Sequence, residues 1–276
     1  MNLLFTLNAG YIPQLTVLLH SLMLSNPGEA FTIYVAHSSL GEGDFEKIAA
    51  VVDPACCTVV PVLVPDSMLE NAPRPGRITK EAYYRLLAMD YLPDDVERVL
   101  YLDPDIVVIN PLRPIYAIEF MDNLFVAVTH IFGLWERFNL RRLDMPLSAK
   151  YINSGVMLMN IKGLRASGVT AEKVLRFISD NEKKIVLADQ DTVNMMFYRR
   201  TLAVDPRIFN LDEKILHHYR REIDLAWVEA NTVIVHFNGK SKPWKPRYRG
   251  RMGYLFERYN DGLCPMPERR PLLEKR

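Results

Sequence analysis

Cysteine is scarce in this chain: three residues in 276, two of them adjacent at Cys56 and Cys57. That number makes no disulfide framework and fits a reducing cytoplasm. No apolar run reaches membrane-spanning length; VLLHSLML is short and broken by His20 and Ser21. The first residues, MNLLFTLNAG, lack a basic segment and a small-residue cleavage site. They read as a first strand rather than a signal peptide. No GxGxxG turn follows that strand, which argues against a dinucleotide-dependent dehydrogenase. The net charge is only +1, and no nucleic-acid partner is expected.

What is present is ordinary for a globular protein, with 49% hydrophobic and 24% charged residues. The length allows one large α/β domain with a substantial core. The near-zero net charge hides an asymmetry. From Lys240 to Arg276 there are eleven Lys/Arg against four Asp/Glu, or +7, and the rest of the chain carries 23 against 29, or −6. The expected organisation is therefore a body over residues 1–250 and a basic C-terminal extension over 251–276. An anionic partner for that extension, such as the inner membrane leaflet, follows from the charge split.

Strand-like and helix-like segments alternate. NLLFTLN, FTIYVAH, CTVVPVLV and RVLYLD read as strands. YIPQLTVLLHSLMLSN, GEGDFEKIAAVVD and TKEAYYRLLAMDYL between them read as helices, the last with a cap at Thr79. The pattern implies βαβ crossovers and a mostly parallel, mixed sheet flanked by helices. The second half is less regular. LFVAVTH, YINSGVMLMNI and TVIVHF read as strands, and AEKVLRFISDNE and DQDTVNMMFYRR as helices.

YLDPDIVVINP carries the strongest chemical signal. Asp103 and Asp105 sit inside an apolar β-forming stretch, where carboxylates are rare unless paired or metal-bound. Pro104 ends the strand between them, and strand ends are where open α/β sheets bind ligands. Two hard oxygens side by side suit Mn²⁺ or Mg²⁺. Asp-Pro-Asp is also good turn chemistry, and both readings stand on these residues alone. VIVHFNGKSKPWK adds His236 as a third metal ligand or a half-buried histidine. It also adds Gly239, which lets an anion approach backbone, and Lys242 as a phosphate counter-charge. In LADQDTVN, Asp189 and Gln190 suit sugar hydroxyls, though helix-capping explains them equally well. Asn153 and Ser154 in YINSG face a ligand or shape a turn. Arg85, in an apolar helix, snorkels to the surface or meets a buried acid, for which Asp103 is the candidate. The pair Arg141 and Arg142 reads as solvated surface.

Six stretches in order resemble the family 8 glycosyltransferases, retaining enzymes of the GT-A fold. They are FTLNAGYIPQL, ITKEAYYRLL, VLYLDPDIVV, YINSGVMLMNI, LADQDTVNMMF and HFNGKSKPW, and they cover residues 1 to 245. The resemblance implies Mn²⁺, or Mg²⁺, held by Asp103, Asp105 and His236 on a UDP diphosphate that Gly239 and Lys242 contact. It implies Tyr11 on the uracil, Thr6 and Asn8 at base and ribose, and Arg85, Asn153, Ser154, Asp189 and Gln190 about the donor sugar. Asn8 departs from the family, which often has Asp there. The expected activity is hexose transfer from a UDP-sugar to a saccharide or glycolipid acceptor in bacterial surface polysaccharide synthesis. The expected location is cytoplasmic, peripheral to the membrane. Two alternatives accompany it. One is a haloacid-dehalogenase-type phosphatase using Asp103 in its DxDx(T/V) pattern, and the other a non-catalytic sugar-nucleotide-binding protein.

Overall fold

The structure, a computed structural model, describes residues 1–65, 68, 81–129, 133–261 and 263. The first half runs β1 (Asn2–Thr6), α1 (Ile12–Ser25), β2 (Phe31–His37), α2 (Glu42–Ala49), β3 (Cys57–Leu63), α3 (Glu81–Tyr84), α4 (Ala88–Tyr91) and β4 (Arg98–Leu102). Then come β5 (Ile106–Val108), α5 (Arg113–Tyr116), β6 (Phe125–Thr129), α6 (Leu134–Arg142), β7 (Ile152–Asn160), α7 (Ile161–Ala166), α8 (Ala171–Asp180) and α9 (Ala188–Phe197). The chain finishes with β8 (Thr201–Val204), α10 (Pro206–Phe209), α11 (Glu213–His218), α12 (Leu225–Asn231), β9 (Ile234–His236) and α13 (Gly253–Asn260).

Seven strands form one sheet in the order β3-β2-β1-β4-β7-β6-β8. Every neighbouring pair is parallel except β7 with β4 and β7 with β6. The sheet is thus mixed and mostly parallel, with β7 reversed. Pro61 is tolerated in β3 because that strand lies at an edge.

Alternation along the strands feeds a core on each face. Leu3 and Phe5 of β1, with Leu100 and Leu102 of β4, pack with α1 residues Leu15, Leu18 and Leu22. Leu4, Val99 and Tyr101 point the other way, against Tyr83, Tyr84 and Leu87.

Several elements differ from the sequence reading. The segment expected as one helix is α3 and α4 joined by a tighter 3-10 turn over Arg85–Leu87. Its expected cap, Thr79, lies outside the described residues. The last strand, β9, leaves the main sheet and pairs antiparallel with β5 in a separate two-stranded sheet. That sheet needs a partner 126 positions away in register, Ile234 for Val108, which local patterning does not reveal. β8, on the sheet's other edge, has only four residues and is too short to signal itself. Beyond residue 250, α13 lies within the stretch set apart as an extension, and its Leu255, Phe256 and Tyr259 are buried in the body. No helix among the described residues is long and apolar enough to cross a membrane.

The small sheet is fixed from one side by α1. Ser21 Oγ accepts from Val108 N at 2.9 Å, and Ser25 Oγ donates to Val108 O at 2.8 Å. Two serines one turn apart thus satisfy both backbone groups of a strand edge. Ser21 is fully buried. Ser21→Ala strands the Val108 N–H and is expected to cost about 1–3 kcal/mol. Thermal unfolding followed by circular dichroism should show Tm lowered by roughly 3–8 °C.

Candidate active site

Asp103 follows the end of β4 and Asp105 precedes β5. Asp103 N donates to Gly155 O at 2.8 Å, and Phe237 N donates to Asp105 O at 3.0 Å. The motif is therefore stitched to β7 on one side and to the end of β9 on the other. His236 pairs with Ile106 in the register of the small sheet. One ligand atom each from Asp103, Asp105 and His236 fall within 4.8 Å of one another. His236 Nε2 stands 3.1 Å from Asp105 Oδ1 and 3.7 Å from Asp103 Oδ2.

Asp103 Oδ2, Asp105 Oδ1 and His236 Nε2 face one another, the last two within hydrogen-bond distance, and the other atoms are engaged elsewhere. Asp103 Oδ1 accepts from Tyr101 OH at 2.6 Å and from Arg85 Nη1 at 2.8 Å, leaving Oδ2 toward His236. His236 Nδ1 lies 2.8 Å from Asn210 Oδ1, leaving Nε2 toward the carboxylates. Two carboxylate oxygens and one imidazole nitrogen suit a borderline-hard divalent cation. Gly155 makes the space: a Cβ there would overlap His236 Cε1 and lie 2.6 Å from Asp103 Oδ2. A glycine within a strand often marks such a close approach.

Arg85 is the buried counter-charge. It is 8% exposed, bonds Asp103, reaches Asp189 Oδ2 at 3.2 Å and donates to Ser154 O at 3.2 Å. Its guanidinium stacks 4.2 Å over the Tyr101 ring. Burial works against its charge, but Asp103 and Asp189 outweigh that and hold it more firmly protonated than usual. Of the two sequence readings, the buried ion pair is the one observed. Burial pushes Asp189 above the ordinary carboxylate value despite Arg85 and the Ser154 hydroxyl. Asp105 goes the other way: burial opposes its charge, but His236 and Lys242 prevail and hold it well below the usual range. Lys242 Nζ pairs with Asp105 Oδ2 and donates to Phe237 O at 2.8 Å.

The helix-start acids separate into two roles. Asp191 is fully buried and structural: it accepts from Val186 N and Leu187 N, both at 2.8 Å, and from Tyr151 OH at 2.6 Å. Its counter-ion is Arg142 at 2.8 Å, so the reading of Arg142 as solvated surface is corrected. Asp189 and Gln190 face the other way. Gln190 Oε1 accepts from Asn153 Nδ2 at 3.1 Å.

Thr6, Asn8, Tyr11, Arg85, Asp103 and Asp105 line one cleft, of about 180 Å³. Asn8 Oδ1 accepts from Gly10 N and caps the short turn Ala9–Tyr11, which presents Tyr11 at 40% exposure. Thr6 Oγ1 lies 3.3 Å from Tyr101 OH. A hollow of about 370 Å³ at Glu97, Arg98, Glu119 and Lys162 is larger. Glu97, Glu119 and Lys162 there are solvent-exposed and Arg98 is half-buried. Gly239 sits beyond β9 at φ +88°, a backbone state that favours glycine, and the space a Cβ would enter there is open to 4 Å. Sequence reasoning missed Tyr101 and Asn210. Tyr101 had the signal of a strand position two before Asp103 on the same face; Asn210 had none.

The sequence profile of glycosyl transferase family 8 matches residues 2–247. The chain belongs to this family. It is 26% identical over 247 residues to the lipopolysaccharide 1,3-galactosyltransferase of Salmonella typhimurium, covering 88% of this chain and 72% of that protein. It is 31% identical over 190 residues to general stress protein A of Bacillus subtilis, covering 66% of this chain and 65% of that one. The crystal structure of galactosyltransferase LgtC with donor and acceptor sugar analogs superposes with a TM-score of 0.83 at 24% identity, covering 97% of this chain and 98% of that one. The fold is therefore GT-A, and the chain is a glycosyltransferase. Family membership overturns the phosphatase alternative, and Asp103 follows the fourth strand here, not the first.

Gly155→Ala tests the geometry. The added methyl displaces His236 and Asp103, so Mn²⁺ affinity is expected to fall about 10–100-fold. Isothermal titration with the metal alone checks it, and unaltered affinity would show that the three side chains do not act as one site.

Proposed function

We propose that this protein transfers a hexose from a UDP-hexose to a saccharide or glycolipid acceptor, with retention at the anomeric carbon and with Mn²⁺ or Mg²⁺ as cofactor. The observation that carries the reading is the convergence of His236 on Asp103 and Asp105, two acids that line one cleft with Thr6, Asn8 and Tyr11. Relatives named lipopolysaccharide galactosyl- and glucosyltransferases support a hexose donor and a bacterial surface saccharide as acceptor.

In this reading Tyr11 stacks on the uracil, and Thr6 and Asn8 meet the base and ribose. Asp103, Asp105 and His236 hold the divalent cation, which when bound neutralises a departing diphosphate. Lys242 and the backbone at Gly239 add positive potential there, and fixed charge of this kind is usually the largest catalytic contribution. Arg85 holds Asp189 while Asn153 holds Gln190. The oxygens best placed to attack the anomeric carbon are thus engaged. That favours front-face attack by the acceptor, whose proton passes to an oxygen of the leaving diphosphate. Asp189, Gln190 and Ser154 then orient the sugar and stabilise its cationic centre.

The same reading includes contact with an anionic membrane. It rests on the +7 stretch from Lys240 onward and on α6, which exposes Leu134, Trp135 and Phe138 beside Arg137 and Arg141.

Two measurements test the proposal. Without acceptor, the protein is expected to hydrolyse UDP-glucose or UDP-galactose slowly, with activity lost on chelation and restored by Mn²⁺. Asp105→Asn should lower turnover by roughly 100-fold or more. Tight UDP binding without any turnover would favour the non-catalytic alternative. In flotation assays, vesicles rich in anionic lipid should carry the protein up in a salt-sensitive way. Equal recovery with neutral vesicles would refute the membrane contact.

A further inference from the structure

Asn210 lies outside every motif, follows α10 and is 2% exposed. Its neighbours allow its amide only one orientation. Gly155 N donates to Asn153 Oδ1 at 2.9 Å, and a backbone N–H cannot be anything but a donor. Asn153 Oδ1 is therefore the oxygen. Asn210 Nδ2 donates to that same oxygen at 2.8 Å, so Asn210 Oδ1 must be the atom that faces His236 Nδ1 at 2.8 Å. An acceptor in that position pairs with a proton on Nδ1, against the pull of Asp105 Oδ1, which offers the other ring nitrogen an acceptor at 3.1 Å. Asn153 Nδ2 in turn donates to Gln190 Oε1 at 3.1 Å. Four side chains thus form one polarised line anchored on a main-chain amide.

We propose that Asn210 is a positioning residue: it holds His236 in the Nδ1–H tautomer, so that Nε2 presents its lone pair beside Asp103 and Asp105, and it ties that ligand through Asn153 to Gln190. Histidines that ligate metals almost always need such a partner on the other nitrogen. The supply here is unusual in that the acceptor is an amide whose orientation is set two residues away. The backbone holds Asn210 as firmly as the side chains do. Leu211 N donates to Ile234 O and His236 N donates to Leu211 O, at 2.9 and 2.8 Å, so Asn210 is locked beside the strand it serves.

The inference rests on the proposed metal-dependent transfer, and its tests separate the two. The first needs no metal and no variant. In the metal-free full chain, at a pH where the ring is neutral, ¹⁵N NMR should show His236 protonated at Nδ1. An Nε2–H ring would overturn the proposal whatever the enzyme does. The second uses two substitutions and the metal alone as probe. Asn210→Leu removes the acceptor and should weaken Mn²⁺ binding about 10–100-fold. Asn210→Asp keeps an acceptor for Nδ1–H but turns a carboxylate against Asn153 Oδ1. It should bind Mn²⁺ within a few-fold of the wild type yet stay slow on UDP-hexose. Wild-type affinity in Asn210→Leu, or equal loss in both variants, would overturn the assignment. A wild type with the Nδ1–H ring and bound Mn²⁺ but no turnover would refute the transferase reading and leave the positioning role standing.

Discussion

Three carboxylates, those of Asp103, Asp105 and Asp189, gather beside the cleft, and Arg85 and Lys242 answer them with positive charge. Like charges brought together away from water repel strongly, so the arrangement persists only while counter-charges and hydrogen bonds compensate. Each part of the fold contributes one of these. The turn between α3 and α4 supplies Arg85, β4 and β5 supply the aspartates, and the loop after β9 supplies Lys242. The compensation is incomplete in fixed charge, three carboxylates against Arg85 and Lys242. Burial opposes charge on His236, but Asp105 and Asp103 accordingly hold it more basic than usual. A divalent cation would complete it, and a diphosphate would then be attracted in its turn.

The reversed strand β7 has a special place in this balance. It crosses between β4 and β6 and delivers Asn153, Ser154 and Gly155 to the end of β4. Gly155 leaves room for His236, the Ser154 carbonyl receives Arg85, and Asn153 links both ends of the site. In a purely parallel sheet this segment would need its own crossover to reach the same point. The register shift between Ala127 and Val128, where β6 meets β7, falls at the same level of the sheet. Such irregularities often re-aim side chains beside functional sites.

Much of this was legible in the residues because the informative groups come in short runs. Asp-Pro-Asp inside an apolar strand is a local contradiction, and local contradictions can be read without a structure. The same holds for Arg85 in an apolar helix, where burial of the guanidinium demands a partner close by. What stayed hidden depends on contacts far apart in sequence. Arg142 looks like any surface arginine until Asp191, fully buried, is seen to need it. Asn210 carries no pattern because its meaning lies in Asn153 and His236. The pairing of β5 with β9 was invisible for the same reason, since three-residue strands have no periodicity to display.

Both edges of the small sheet are met by neighbouring groups. Along β5, Val108 is met by hydroxyls from α1; along β9, Leu211 forms a parallel bridge to Val235. A strand pair that short would ordinarily be free to slide, and a slide of one residue turns every side chain to the opposite face. Here a slide would carry His236 away from Asp103 and Asp105 and leave hydrophobic neighbours in its place. Two serines on a helix, well removed from any reacting atom, therefore act as stops that keep the chemistry in frame.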